Sequence, residues 1–181
     1  MNLYLRLLLV WLKSKFRPPI GILDECVSDF RVWLTDLDML MHMTNSRYLA
    51  IADVCVIDYM MRCQAWPKFM ARRWMPIVLF EDMVFIRQLK FPQRFTVRSK
   101  LLGWSDRHAL IRHIFERADG KVAAEGFTVA RFICVTDGAR VAPQDVLKVM
   151  GLETPSPPLS PLAQDALRRA AEGYDLKGTG N

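Results

Sequence analysis

The sequence predicts an α+β fold in which a long antiparallel sheet wraps around one central buried helix. Three observations predict it. From Asn45 to Arg62 the chain is apolar on nearly every side, interrupted only by Arg47, Asp53, Asp58 and Arg62. A helix without a polar face belongs inside something. Residues 75–89, 94–104, 109–117 and 121–135 are β-rich runs, with Ser105-Asp106 and Asp119-Gly120 separating the last three. Asp-Gly between such runs is a strong hairpin signal. Finally, a strand at 26–34 precedes the helix and the long strands follow it, and an antiparallel sheet with one apolar helix buries that helix against its concave face.

The elements follow in chain order. Residues 1–17 hold an apolar run from Leu7 to Leu12, broken or flanked by Arg6, Lys13, Lys15 and Arg17. The run is too short to cross a bilayer, which takes about 20 apolar residues. Most of its charge follows the apolar core and no small-residue cleavage site is present, unlike a signal peptide. Two main readings follow, a helix packed on the body or on a second subunit and a membrane-surface anchor with basic residues at the lipid headgroups, with a true signal or spanning anchor as a third. Pro18-Pro19 ends the segment, because proline cannot continue a helix. Residues 66–74 read as a short irregular or helical link. Glu81-Asp82 in the middle of the run at 75–89 would be costly if fully buried, so a bulge, an edge or an interface is expected there. Residues 144–150 read as a short helix, Thr154 to Pro158 as a linker, and 160–174 as a polar helix with Ser160 as N-cap and Pro161 in the first turn. Residues 178–181 are expected to fray. The predicted organisation is a hydrophobic and basic helix at 1–20, the main domain at 21–150, and a linker with a polar helix at 151–181.

Composition narrows the function classes. With 51% hydrophobic and 24% charged residues the chain can bury a core and is not disordered. The net charge of +6 divides as +2 over residues 1–35, +5 over 36–142 and −1 over 143–181. It therefore sits on the folded body. It is spread, with no basic stripe interleaved with aromatics, which argues against nucleic-acid binding. The four cysteines are scattered and form no CxxC, so reduced, buried thiols and a cytoplasmic setting are expected. Three dispersed histidines do not supply a metal site, and no cofactor is implied.

Just before the central helix stands a dense polar cluster. It reads Asp36-Leu-Asp38-Met-Leu-Met41-His42-Met-Thr44-Asn45-Ser-Arg47-Tyr48. It resembles the motif D-x-D-x-x-G-H-x-N-N-x-x-Y of hotdog thioesterases of the 4-hydroxybenzoyl-CoA thioesterase type. Both aspartates, the histidine, the second asparagine and the tyrosine match without a gap. The string is closer still to the branch called thioesterase superfamily member six, which also carries a sequence similar to Lys100-Leu-Leu-Gly103-Trp104-Ser-Asp-Arg107. The likeness covers residues 26–150. Met41 stands where that motif has glycine, and Thr44 where it has its first asparagine, so the turn or the pocket is expected to differ there.

The resemblance implies an acyl-CoA thioesterase of hotdog fold. Asp36 would be nucleophile or general base, and the helix start near Met43, Thr44 and Asn45 would polarise the thioester carbonyl. It also implies a site at a dimer interface, hence a homodimer or a dimer of dimers. Asp36, His42, Met43 and Asn45 are the catalytic candidates. Asp38, Thr44, Tyr48, Arg72 and Arg73 are the substrate-binding candidates. Each has a duller reading: Asp36 and Asp38 as loop carboxylates, His42 as a packed histidine, Asn45 with Thr44 as a helix cap, Tyr48 as core, and the arginines as solvated. A non-catalytic acyl-CoA or lipid-binding hotdog protein is the alternative function. A hotdog dehydratase would pair His42 with Asp53, but the proline-rich sequence after that class's histidine is missing.

Overall fold

The computed structural model describes residues 3–175, so the end expected to fray at 178–181 lies outside the described residues. The elements are α1 (Leu3–Ser14), β1 (Cys26–Arg31), α2 (Asn45–Arg62), α3 (Ala65–Arg72), β2 (Trp74–Phe85), β3 (Arg94–Trp104), β4 (Ala109–Arg117), β5 (Val122–Cys134), β6 (Arg140–Val141), α4 (Pro143–Val149) and α5 (Pro161–Asp175). The strands form one antiparallel sheet in the order β1-β3-β4-β5-β2, with β6 paired to β5. In the β1–β3 ladder, Phe30 lies opposite Phe95 and Arg31 opposite Arg94. The arrangement is the one the sequence predicts, the hotdog fold. Strand β1 stops three residues short of the expected end, because a 3-10 turn at Leu34–Asp36 takes over.

The chain divides into two compact units. The first contains α1, β1, α2 and residues 83–100 and 112–126. Its core is α2 against the sheet: Tyr48, Ile51, Ala52 and Cys55 pack with Phe95, Val97, Phe115 and Ala123. Burying the larger of these, Ile51, Phe95, Val97 and Phe115, stabilises by about 1.5–3 kcal/mol each. Alternate residues of β3, from Phe95 to Leu101, are buried, the period-2 pattern of a strand with one covered face. Helix α1 packs on α2, which is the first of the two readings for the N-terminal segment.

The second unit contains α3, residues 65–82 and 101–111, and everything described from Phe127 on. Here α5 buries Ala163, Ala166 and Ala170 against Leu110, Phe127 and Val129. The small residues at spacings of three and four make an apolar stripe on an otherwise polar helix. Ser160 Oγ accepts from the Ala163 amide at 3.3 Å, as expected of its cap. Glu81 and Asp82 lie on β2, an end strand of the sheet. Glu81 accepts from Thr128 Oγ1 at 3.0 Å and Asp82 from the Phe127 amide at 3.0 Å. Their cost is met by these bonds and by the edge position.

Candidate active site

The loop between Arg31 and the start of α2 is built by backbone bonds, and it sets where the polar cluster points. The Thr44 amide donates to the Asp36 carbonyl at 2.9 Å, the Asp38 amide to the His42 carbonyl at 2.8 Å, and the Met43 amide to the Leu89 carbonyl at 2.8 Å. Asp38 Oδ1 holds the turn by accepting from the Leu40 and His42 amides at 2.8 and 3.1 Å. Met41 makes this turn with φ = 61°, the left-handed conformation that glycine adopts without strain. The turn is therefore kept without its glycine, and the Met41 side chain is exposed.

Two of the amides expected to polarise a carbonyl, those of Met43 and Thr44, are thus engaged inside the protein. Among the described residues, the amides of Asn45 and Ser46 have no acceptor. These are the first two of α2, where backbone donors lack intrahelical partners and the helix dipole is positive. Thr44 occupies the N-cap position without making a side-chain cap bond. Asn45 also lines a cavity of about 220 Å³, together with His42, Met43, Tyr48, Phe85 and residues 86–88. Tyr48 is buried, with its ring 5.1 Å from both Phe85 and Phe115. Burial pushes its phenol up to about 12, so it stays protonated. In chemical terms the cavity combines one residue of the open helix start, Asn45, with an imidazole and an apolar wall.

Asp36 lies elsewhere in the same unit. It is fully buried. Its Oδ2 accepts from the Trp33 amide at 2.8 Å and from Arg6 Nη2 of α1, and Arg47 Nε stands 3.2 Å from Oδ1. Arg6 itself is 1% exposed. Burial lowers its pKa and Asp36 opposes that shift. No local signal marks Arg6 as a partner: it sits thirty residues upstream beside an apolar run. Asp58 accepts from Ser28 Oγ at 2.5 Å and faces Arg17 at 3.5 Å. Asp53 is exposed.

Arg72 and Arg73 belong to the second unit and are exposed. Arg72 donates to the Lys68 carbonyl at 3.3 Å and lies over the Trp74 ring. The downstream motif is in this unit too. Gly103 lets the 152–159 segment approach β3, since a Cβ there would meet Ser156 Oγ at 2.5 Å. Ser105 Oγ accepts from the Arg107 and His108 amides at 3.3 and 3.1 Å. All four cysteines are free thiols. Among the described residues there is no cluster of metal-ligating side chains, and no helix is long and apolar enough to cross a membrane.

Comparison with known proteins fits this architecture. The chain is 27% identical over 148 residues to Protein THEM6 of Danio rerio, covering 81% of this chain and 71% of that one. YbaW, a probable thioesterase of Escherichia coli, superimposes with a TM-score of 0.63 at 17% identity, covering 68% of this chain and 97% of its own. A 4-hydroxybenzoyl CoA thioesterase mutant complexed with 4-hydroxybenzoyl CoA does so with a TM-score of 0.61 at 14% identity, over 70% and 98%. The family model described as the thioesterase-like superfamily matches residues 32–156. The chain belongs to the thioesterase-like superfamily, and its enzymatic class is that of a thioester hydrolase.

Proposed function

We propose that the protein hydrolyses an acyl-CoA thioester, with the carbonyl held at the start of α2. The observation that carries this reading is the start of α2, where the Asn45 and Ser46 amides have no acceptor and Asn45 lines the Tyr48–Phe85 cavity. Donors of this kind, fixed before reaction, stabilise the oxyanion that forms as water adds to the carbonyl. Water loses a proton to a base, the C–S bond breaks, and the thiolate leaves and is protonated, giving a carboxylate and free CoA thiol. Asp36 is the proposed base or nucleophile. In that role it must first be released by Arg6, which now holds it. The 4-hydroxybenzoyl CoA bound by one structural relative supports a CoA ester as substrate. The tests are turnover across short, long and aromatic acyl-CoAs, and loss of that turnover in Asp36→Asn. No turnover across the panel refutes the reading.

The double hold on Asp36 by Arg6 and Arg47 favours a second reading, a non-catalytic acyl-CoA or lipid-binding protein. Saturable acyl-CoA binding without hydrolysis selects it. A homodimer forms part of the proposal. The end strand β2 is 12 residues long and leaves Met75, Val78, Val84 and Phe85 exposed. A long apolar edge of this kind pairs with another strand unless it is blocked. We place the protein in the cytoplasm on its free thiols, with membrane contact through α1. There Leu5, Leu8, Trp11 and Leu12 are exposed close to Lys13 and Lys15, the composition of an interfacial helix.

A further inference from the structure

A cavity of about 320 Å³ lies in the first unit beneath α1. It is separate from the one at the start of α2, with which it shares no residue. Leu9, Val10, Phe30 and Trp33 give it apolar walls. Its charged residues are five basic (Arg6, Lys13, Arg17, Arg31, Arg94) and two acidic, Asp29 and Asp58. Both carboxylates are already engaged. Asp29 takes Arg17 at 3.3 Å and Thr96 Oγ1 at 3.1 Å. Asp58 takes Ser28 at 2.5 Å and Arg17 at 3.5 Å. Among the described residues, Lys13, Arg31 and Arg94 have no carboxylate partner.

One further observation calls for an anion here. Arg31 and Arg94 are directly opposite each other in the β1–β3 ladder, where like charges repel and lower stability. Arg31, Arg94 and Lys13 are solvent-exposed, so a charged head would lie at the mouth and an apolar tail against Leu9, Val10 and Phe30. The volume is at the low end of the ~300–1,000 Å³ range of small-molecule sites, which suits a chain of medium length.

The geometry points to a binding site for a single-chain anionic amphiphile, a fatty carboxylate, with its head on Arg31, Arg94 and Lys13 and its tail under α1. This goes beyond thioester hydrolysis, although a free acid is what such hydrolysis releases.

The test is calorimetric titration of the full-length protein with decanoate below its micelle concentration. Decanol, acetate, decyl phosphate and phosphatidylglycerol vesicles form the other arms. Decanoate is expected to bind once and saturably, decanol at least tenfold more weakly, and acetate not detectably. Decyl phosphate binding tenfold tighter than decanoate would overturn the choice of a carboxylate in favour of a phosphate head. Val10→Trp fills the cavity, and the pair Arg31→Gln and Arg94→Gln removes the head contacts at exposed positions that folding tolerates. Each is expected to weaken decanoate at least tenfold. Equal affinity in the wild type and the arginine variant overturns the site, as does equal binding of decanol. Binding to the vesicles without binding to decanoate also overturns it and marks the face as a membrane surface. The readout is independent of turnover. Decanoate binding by a protein that hydrolyses no acyl-CoA sinks only the enzymatic reading, and turnover without decanoate binding sinks only this site.

Discussion

Replacing Asp36 by asparagine should do more than remove a candidate base. Arg6 is buried at 1% exposure and Asp36 at 0%. Arg47 is the other cation beside the carboxylate, at 3.2 Å. In Asp36→Asn two guanidiniums lose the counter-charge they share, one of them with no route to water. Removing one partner of a buried pair costs about 3–5 kcal/mol. For a chain of this length that corresponds to a fall in Tm of about 6–20 °C, at about 2–4 °C per kcal/mol. Arg6→Met should cost far less. Asp36 keeps Arg47 and the Trp33 amide, and two buried donors that lack acceptors disappear. The double variant replaces a buried ion pair by neutral groups, which is often close to neutral in stability. It should recover to within about 2 kcal/mol of the wild type. Urea unfolding of the four proteins closes the cycle, and a coupling of at least about 2 kcal/mol is expected, inside the range for residues in contact. The reasoning is refuted if Asp36→Asn costs less than about 1 kcal/mol and the two changes add. The same four proteins also separate chemistry from folding. If Asp36 is the base, Arg6→Met retains or gains turnover, while both proteins carrying Asp36→Asn lose it, including the one whose stability is restored.

Further predictions concern stability and assembly. His113 is fully buried against Ser99 Oγ at 2.8 Å, and burial lowers its pKa to about 4. Between pH 6.5 and about 4 the unfolded chain takes up a proton that the folded one refuses, so this residue lowers stability as pH falls. The loss is about 3 kcal/mol at one pKa unit per ~1.4 kcal/mol. His113→Leu should flatten that part of the profile in chemical unfolding across pH, and an unchanged slope rejects the assignment. Met41→Gly, at φ = 61°, should be neutral to about 1 kcal/mol stabilising in thermal melts. Relief of about 1–2 kcal/mol of strain is set against the added freedom of glycine in the unfolded chain. Gly103→Ala drives a Cβ to 2.5 Å from Ser156 Oγ and 2.9 Å from Leu159. It should cost about 1–3 kcal/mol, the range for overpacking, read from the shift in the urea midpoint. Val84→Lys puts a charge on the exposed end strand and should turn the proposed dimer into a monomer in light scattering; an unchanged dimeric mass rejects this edge as its interface.

The parts of the fold legible in the sequence are those fixed by neighbours along the chain. Strands β3 and β4 fall on their expected residues because turn residues and β-rich runs are local signals, and α2 announces itself by lacking a polar face. The cap on α5 was legible for the same reason. Other features were not. Arg6 looked like a break in an apolar run, and nothing within several residues of it hints at a carboxylate. The alanine stripe of α5 is diluted by the charged residues around it, so the helix reads as polar.

The site divides along the same line. The sequence places Asp36, His42 and Asn45 within one short stretch, and the structure keeps them in one unit. Which amides are free depends on pairings made from a distance: the Met43 amide is taken by Leu89, and His42 bridges to Lys90, more than forty residues on. A helix start offers several orphan donors in principle, but the strand that happens to pass it decides which remain. The residues hardest to anticipate here, Arg6 and Asp58, are each a single charge in apolar sequence. Such a charge is affordable only if some remote segment supplies a partner, and periodicity carries no record of which segment that is. A lone charge in an apolar run is therefore best read as a request for a distant contact: Arg6 finds Asp36, and Asp58 finds Ser28 and Arg17.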